Sequence, residues 1–262
     1  MEDAFGRLWR HDKTGNSRHD ARALMDQLTR YNEQTYARLW RYSRYFPPNT
    51  TPWWPLSLRL SQSARERLEI GPGPYPKFPV EGTHFVDLVP LALDMLKAHG
   101  GIVYLGELYE LSFPDRSFDL VGLFELLEHV EEDERLLAEI ARIIRPGGSL
   151  VLALPLKMSL FNSWDQYAGH KRRYEPDELK GKLSRAGFEL VEFEVRPDPL
   201  GRFWGAVIAL MCRLFPGFAM WYNDKVIVPL TFKLLKLVYY PASEWARMAP
   251  SAGECTVVCR RL

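Results

Sequence analysis

The chain is expected to fold as an α/β protein on a mostly parallel sheet, and three observations predict it. Short apolar runs that read as strands alternate with helical periodicities through residues 67 to 195, as in parallel strands joined by crossover helices. The first run, Leu68 to Ile70, opens into Gly71-Pro72-Gly73, and the second, His84 to Leu88, carries a carboxylate at Asp87. A last strand pattern, Cys255-Thr256-Val257-Val258-Cys259, follows a long apolar insertion.

Taken in order, residues 1 to 18 are polar and read as a loose arm. From Asp20, apolar positions at Leu24, Met25, Leu28, Tyr31, Tyr36, Leu39 and Trp40 predict an amphipathic helix ending near Phe46-Pro47-Pro48. Thr51-Pro52-Trp53-Trp54-Pro55 reads as a rigid connector whose aromatics pack on the main domain or cap the ligand site. After Asp87, Leu91 to His99 predicts a helix closed by Gly100-Gly101, and Ile102 to Leu105 a third strand. Phe118 to Phe124 is a fourth strand. Glu125 to His129 leads into a helix with an apolar face of Leu136, Leu137, Ile140, Ile143 and Ile144. Pro146-Gly147-Gly148 stops it, and Leu150 to Leu154 is a fifth strand. Residues 156 to 174 read as a polar and aromatic loop. Pro176 then opens a helix at its first position, Gly187 ends it, and Phe188 to Val195 alternates as a sixth strand. Glu254 to Arg260 completes seven.

This divides the chain into an N-terminal arm and helical cap (1–60), a core (61–201), an apolar helical insertion or lid (202–250) and a final core strand (251–262). Lys225, Lys233 and Lys236 of the insertion fall within about 80° on a helical wheel, so it reads as a packed lid or as a basic amphipathic surface in a membrane interface. No apolar run approaches the ~20 residues of a bilayer span.

Balanced charge, 34 basic against 33 acidic residues and a net +1, leaves no basic footprint for nucleic acid. Three cysteines lack metal or redox spacing, and no metal site is expected. Cys255 and Cys259 share one strand face and read as packed small hydrophobes. The odd cysteine count and the polar N-terminus lead to the expectation of a cytoplasmic protein, with membrane association open through 202–249.

The glycine turn carries the chemistry. A strand, a Gly-x-Gly turn, a second strand and a terminal carboxylate together describe a nucleoside site. Pro72, Pro74 and Pro76 lack backbone N–H groups, so the loop has lost donors that would cradle a pyrophosphate. A nucleoside without phosphates, such as S-adenosylmethionine, is better served. The same loss disfavours an NAD-dependent oxidoreductase.

These residues resemble the class I S-adenosylmethionine-dependent methyltransferases of small-molecule type. The likeness runs through Glu69-Ile70-Gly71-Pro72-Gly73, Ser112-Phe113-Pro114-Asp115-Arg116-Ser117-Phe118-Asp119-Leu120-Val121, Leu127-Glu128-His129-Val130, Arg145-Pro146-Gly147-Gly148 and Gly169-His170-Lys171-Arg172-Arg173-Tyr174. It implies a Rossmann-like seven-stranded sheet with an antiparallel last strand, and an enzyme moving a methyl group from S-adenosylmethionine by in-line displacement. Glu69, Gly71 and Gly73 would line the methionine part of the cofactor, and Asp87 would hold the ribose hydroxyls. Leu88, Glu107 and Leu108 would flank the adenine, and Phe124 would lie near the sulfonium. Tyr75 replaces the usual third glycine, and the segment from Pro76 to Gly82 is too short for the family's first helix.

For a small-molecule or lipid-like acceptor, His129 and His170 are candidate general bases, beside structural roles at a helix start and in the loop. Trp164, Tyr167 and Tyr174 are candidate acceptor-pocket walls. A competing reading is a non-catalytic cofactor-binding partner protein docking through its insertion.

Overall fold

The computed structural model describes residues 34–106, 108–109, 111–197, 201–227, 229–230 and 237–262. The expected helix positions before residue 34, Glu107, Lys233 and Lys236 lie outside the described residues.

A single eight-stranded sheet has the order β3-β2-β1-β4-β5-β8-β6-β7. Its strands are β1 (Arg67–Ile70), β2 (Thr83–Asp87), β3 (Ile102–Leu105), β4 (Phe118–Phe124), β5 (Ile144–Pro155), β6 (Phe188–Arg196), β7 (Tyr240–Pro241) and β8 (Glu254–Arg261). The first five pair in parallel, and β8 lies antiparallel between β5 and β6. Strand order reverses between β1 and β4, so the crevice at their carboxyl ends is where such sheets take ligands. Seven strands were expected. The eighth, β7, is a two-residue edge on β6, too short to leave an alternation in the sequence.

The central strands β1, β4 and β5 bury both faces along most of their length under helices and loops, whereas the edge strand β3 is largely exposed. On one side α4 (Asp133–Ile143) packs Leu136, Leu137, Ile140 and Ile143, and α6 (Pro176–Arg185) packs Leu179 and Leu183, against Leu68, Ile70, Val121 and Leu123. β2 leads into α3 (Pro90–Lys97), which buries Leu93 and Leu96 against Phe85.

The other face is filled unusually. No helix joins β1 to β2, in keeping with the short Pro76–Gly82 segment. Phe78, fully buried, stands in its place. Gly122 of β4 makes room for it: a Cβ there would meet Phe78 Cζ at 2.7 Å. The layer is completed by Trp53 and by Leu56 of α2 (Trp54–Ser63). The connector reading of Thr51 to Pro55 is thus corrected in part, because Trp54 and Pro55 open a helix with proline at its second position. Trp53 is a packing residue whose Nε1–H donates to Thr256 Oγ1 at 2.9 Å.

Two other segments differ from expectation. Residues 156–174 hold a 3-10 turn, Met158–Leu160, and α5 (Ser163–Ala168). Asn162 caps α5 by accepting from Trp164 N–H, while Asp165 Oδ2 accepts from Asn162 N–H at 2.7 Å, a capping box too brief to show periodicity. β5 begins at Ile144 and runs through Pro146-Gly147-Gly148, with Gly147 at φ +80° and a register shift opposite Phe118/Leu120.

The insertion forms α7 (Gly201–Leu214) and α8 (Pro216–Tyr222), continued by a π turn at Asn223–Ile227. Ala209, Cys212, Ala219 and Met220 pack against Leu39 of α1 (residues 34–40) and Tyr167 of α5. The opposite side, including Phe203, Leu210 and Leu214, is exposed. Cys255 and Cys259 are buried thiols, as the strand pattern implied.

Candidate cofactor and acceptor site

The site begins where β1 ends. Gly71 and Gly73 take φ of +65° and +55°, a region that only glycine enters without steric cost. A Cβ on Gly71 would meet Leu126 Cδ1 at 2.9 Å, and one on Gly73 would meet Trp40 Cζ2 at 2.6 Å. The turn is thus a close-approach surface, covered from below by Leu126 and from above by α1.

Glu69 is fully buried. Its carboxylate accepts from the N–H of Lys77 (2.9 and 3.0 Å) and of Phe78 (2.9 Å). It therefore shapes the loop that replaces the missing helix. Burial pushes its carboxyl up to about 7, against the pull of Lys77 and of the two amides.

Asp87, at the end of β2, accepts from Gly73 N–H through Oδ2 at 3.1 Å and from Val89 N–H through Oδ1 at 2.9 Å. Burial lifts its carboxyl to about 6, opposed by backbone N–H donors. Each oxygen holds one donor and keeps acceptor capacity for a second. Leu88 and Leu108 are half-buried, and Phe124 is buried at the end of β4. Phe124 stands edge-on to Trp53 and Phe78 at centroid distances of 6.0 and 5.7 Å.

Glu125 follows Phe124 and was not singled out from the sequence. It is a non-glycine residue at φ +55°, strained backbone of the kind found at functional sites. Its side chain is exposed to solvent in the recess at the carboxyl ends of β1 and β4, with Lys77, Arg173, Arg196 and Glu254 near enough to act on its charge. Enclosure raises its carboxyl to about 7, helped by Glu254 and opposed by Arg196, Lys77 and Arg173. Lys77 closes this recess: its ammonium donates to the Tyr75 carbonyl and lies 5.5 Å from the Trp53 ring and 6.0 Å from the Phe124 ring. The signal available in the sequence was position alone, a carboxylate immediately after a central strand.

The histidines sit together, with His129 and His170 rings edge to face at 4.5 Å. Burial and the neighbouring His170 hold His129 well below the usual imidazole range. Its Nε2 is 3.4 Å from the Tyr36 hydroxyl, which α1 brings over the site. His170 Nδ1 lies 2.7 Å from Asp165 Oδ1.

Of the expected acceptor walls, the structure speaks against Tyr174. Tyr174 is fully buried, and its hydroxyl donates to Leu127 O and Asp133 Oδ2, so no acceptor reaches it. Tyr167 packs between α1 and the insertion, where Arg38 donates to its hydroxyl at 2.9 Å. Trp164 lies beside it, at the α5–α7 contact. Tyr167 and Trp164 thus pack against the insertion, while Tyr174 belongs to the core.

The donor set fits S-adenosylmethionine: a carboxylate with spare acceptor capacity for ribose hydroxyls, half-buried leucines for a base, and a glycine turn permitting close approach. Three prolines leave that turn poor in donors for phosphate.

Residues 79–152 match the methyltransferase domain family. A probable S-adenosylmethionine-dependent methyltransferase of Mycolicibacterium smegmatis is 34% identical over 106 residues, 40% of this chain and 39% of that protein. The ubiquinone/menaquinone biosynthesis C-methyltransferase UbiE of Yersinia pestis is 30% identical over 109 residues, 32% of this chain and 43% of that protein. The matched stretch thus spans about two fifths of these curated relatives. Among solved structures, a Thermotoga maritima protein described as a SAM-dependent methyltransferase superposes with a TM-score of 0.51 at 16% identity, covering 79% of this chain and 88% of that one. YcgJ from Bacillus subtilis gives 0.50 at 14%, covering 79% and 98%. At these identities the superpositions establish the fold.

Proposed function

We propose that this chain, whose residues 79–152 match the methyltransferase domain family, is a class I S-adenosylmethionine-dependent methyltransferase that methylates a lipid-like acceptor met at a membrane surface. The observation that carries this reading is the outward side of the insertion. Phe203 is 62% exposed, Trp204 51%, Phe215 62% and Trp221 52%, on helices whose inner side already packs on α1 and α5. A helix apolar all round needs cover on both sides, and large aromatics settle at the boundary between headgroups and acyl chains. No described helix is long and apolar enough to cross a membrane, which suits a helix pair lying in the interface. The similarity to a quinone-pathway C-methyltransferase supports a small-molecule acceptor.

Bound S-adenosylmethionine supplies an electrophilic methyl group on a sulfonium. The chain's part is to hold and align. Asp87 would accept from the ribose hydroxyls, Leu88 and Leu108 would flank the adenine, and the Gly71–Gly73 turn would take the methionine end. Phe124 borders the reacting centre, and Glu125, poised near pH 7, accepts a proton from a hydroxyl or acidic carbon of the acceptor. In-line alignment alone is worth roughly 7–11 kcal/mol in well-oriented systems. Lys77 balances the negative charge that Glu69 and Glu125 bring to the recess.

The test is transfer of label from methyl-labelled S-adenosylmethionine to vesicles carrying a cellular lipid extract. Label recovered in the organic phase supports the proposal. Label confined to water-soluble product, or none, contradicts it.

A further inference from the structure

Beside the recess lies a cluster the transfer reaction leaves unused. Glu128, His129 and His170 each bring one possible ligand atom within 4.8 Å of the others. They come from two places: the turn Leu127–His129 after β4, and the stretch just after α5.

Glu128 is fully buried, and among the described residues neither of its carboxylate oxygens has a well-formed hydrogen-bond partner, the nearest candidate being the like-charged Glu125. Burying a carboxyl that way is costly unless something compensates it. Nδ1 of His129 is likewise buried without a side-chain partner among the described residues, with the Gly169 backbone nearby. His170 is oriented from behind: Nδ1 meets Asp165, a fully buried carboxylate that also takes Arg173 at 2.9 Å. That contact leaves His170 Nε2 facing Glu128 Oε1 across 3.9 Å. The gap is too long for a hydrogen bond. It is close to the separation of two ligands on one ion, since bonds of about 2.0–2.1 Å at tetrahedral angles set ligand atoms roughly 3.3 Å apart.

We propose that Glu128, His129 and His170 bind a divalent transition-metal ion, with Asp165 as the carboxylate that orients His170. Two imidazoles and one carboxylate suit zinc, iron(II) or cobalt(II); magnesium and calcium prefer all-oxygen shells. The Asp165–His170 contact is the usual support for a metal-binding imidazole, fixing its tautomer and raising its basicity. Three protein ligands leave a coordination position open, as in catalytic rather than structural zinc sites. Glu125 is close enough to Glu128 to disfavour its ionised form, so the ion stands next to the recess. There the open position is available to an oxygen of the acceptor. This site goes beyond the lipid-acceptor reading and does not depend on it.

The test uses the whole protein, stripped with chelator and titrated with Co2+ while visible absorption is followed, then with Zn2+. The expected result is ligand-field bands that saturate at one Co2+ per chain and vanish with one Zn2+, and a higher melting temperature with Zn2+. Glu128→Gln and His170→Gln are each expected to weaken Co2+ binding by more than about 100-fold, and Asp165→Asn by about 10–100-fold. Should one variant fail to fold, the other and the wild-type titration still decide. No bands and no Zn2+-dependent melting shift in the wild type would overturn the proposal. So would unchanged Co2+ affinity in a folded Glu128→Gln or His170→Gln protein, which would leave Glu128 as a buried, protonated carboxyl.

Discussion

The Tyr75 hydroxyl donates to Asp224 Oδ1 at 2.6 Å, tying the glycine turn to the helical insertion. Tyr75 occupies the position where the family resemblance leads one to expect a third glycine. Its ring stacks on Phe46 at 5.1 Å, and Ser43 Oγ approaches its hydroxyl at 3.3 Å. Burial and Asp224 together push the phenol far above its ordinary range, so it stays a donor. Asp224 is itself buried and, among the described residues, is left Asn223 Nδ2 at 3.2 Å if the phenol is removed. Tyr75→Phe is expected to destabilise the protein by about 1–3 kcal/mol, the range for stranding a buried polar group. Urea denaturation measures it, and an unchanged midpoint would show that the tie carries no stability.

The proposed proton-accepting role of Glu125 predicts a pH-dependent reaction. With its carboxyl raised to about 7, the base form accumulates as pH rises through that value, so kcat/KM should climb along a limb centred near pH 7. Glu125→Gln should be slow and lack the limb. The same shift has a stability consequence of definite sign. The folded value lies above the ordinary 4.5, so the protonated group's contribution is full below about pH 4.5 and is lost as pH rises through about 7. Glu125→Gln should therefore melt higher than wild type at pH 8 and not at pH 4. A variant that keeps the rate limb would remove Glu125 from the proton-accepting role.

Phe78 substitutes for a helix. It is fully buried over Gly122, with Phe124 edge-on at 5.7 Å. Phe78→Ala should cost about 3–5 kcal/mol, as for other large buried aromatics. A loss below about 1 kcal/mol by calorimetry would mean the layer closes without it.

The proposed membrane contact would be carried by apolar area first and charge second. The triple substitution Trp204→Gln, Phe215→Gln and Trp221→Gln removes three exposed aromatics while sparing Ala209, Cys212 and Met220 on the packed side. Flotation with anionic vesicles should drop sharply while the melting temperature holds. Adding Lys225→Glu, at another exposed position, should reduce what remains, most visibly at low salt. Equal flotation of wild type and triple variant would refute the interfacial reading.

How legible each part was follows from its length and locality. The strand Phe118–Phe124, buried on both faces, was read to the residue, while the helix Asp133–Ile143 was found from its apolar stripe but extended past its end, because Ile144 continues the stripe although it already belongs to β5. The parallel order was legible because crossover helices alternate with strands. α5 was missed because six residues cannot display a 3.6 period, although its Asn162–Asp165 capping pair was there to see. Trp53-Trp54-Pro55 hid a helix start behind a proline that reads equally as a breaker. At the site, Gly71, Gly73 and Asp87 are local to one motif and could be named together. Tyr174 could not be sorted from a pocket wall, because its burial depends on Asp133, which lies far from it in sequence. Glu125 and Lys77 converge only once the helix-less loop folds back, and the Glu128–His129–His170 cluster joins two separate loops.

The account rests on Asp87 receiving ribose hydroxyls. Isothermal titration calorimetry of S-adenosylmethionine against wild type and Asp87→Asn, each at pH 5 and pH 7.5, tests it most directly. With the carboxyl near 6 in the folded protein, wild-type binding should be one to one and tighter at pH 7.5, where the acceptor form prevails. Asp87→Asn, which keeps an oxygen for one backbone N–H, should bind roughly 10- to 150-fold more weakly, the equivalent of about 1.5–3 kcal/mol for hydrogen bonds to a charged group. The variant should also lose the pH dependence. Wild-type protein that takes up no S-adenosylmethionine, or an Asp87→Asn variant that binds it equally well at both pH values, would contradict the account.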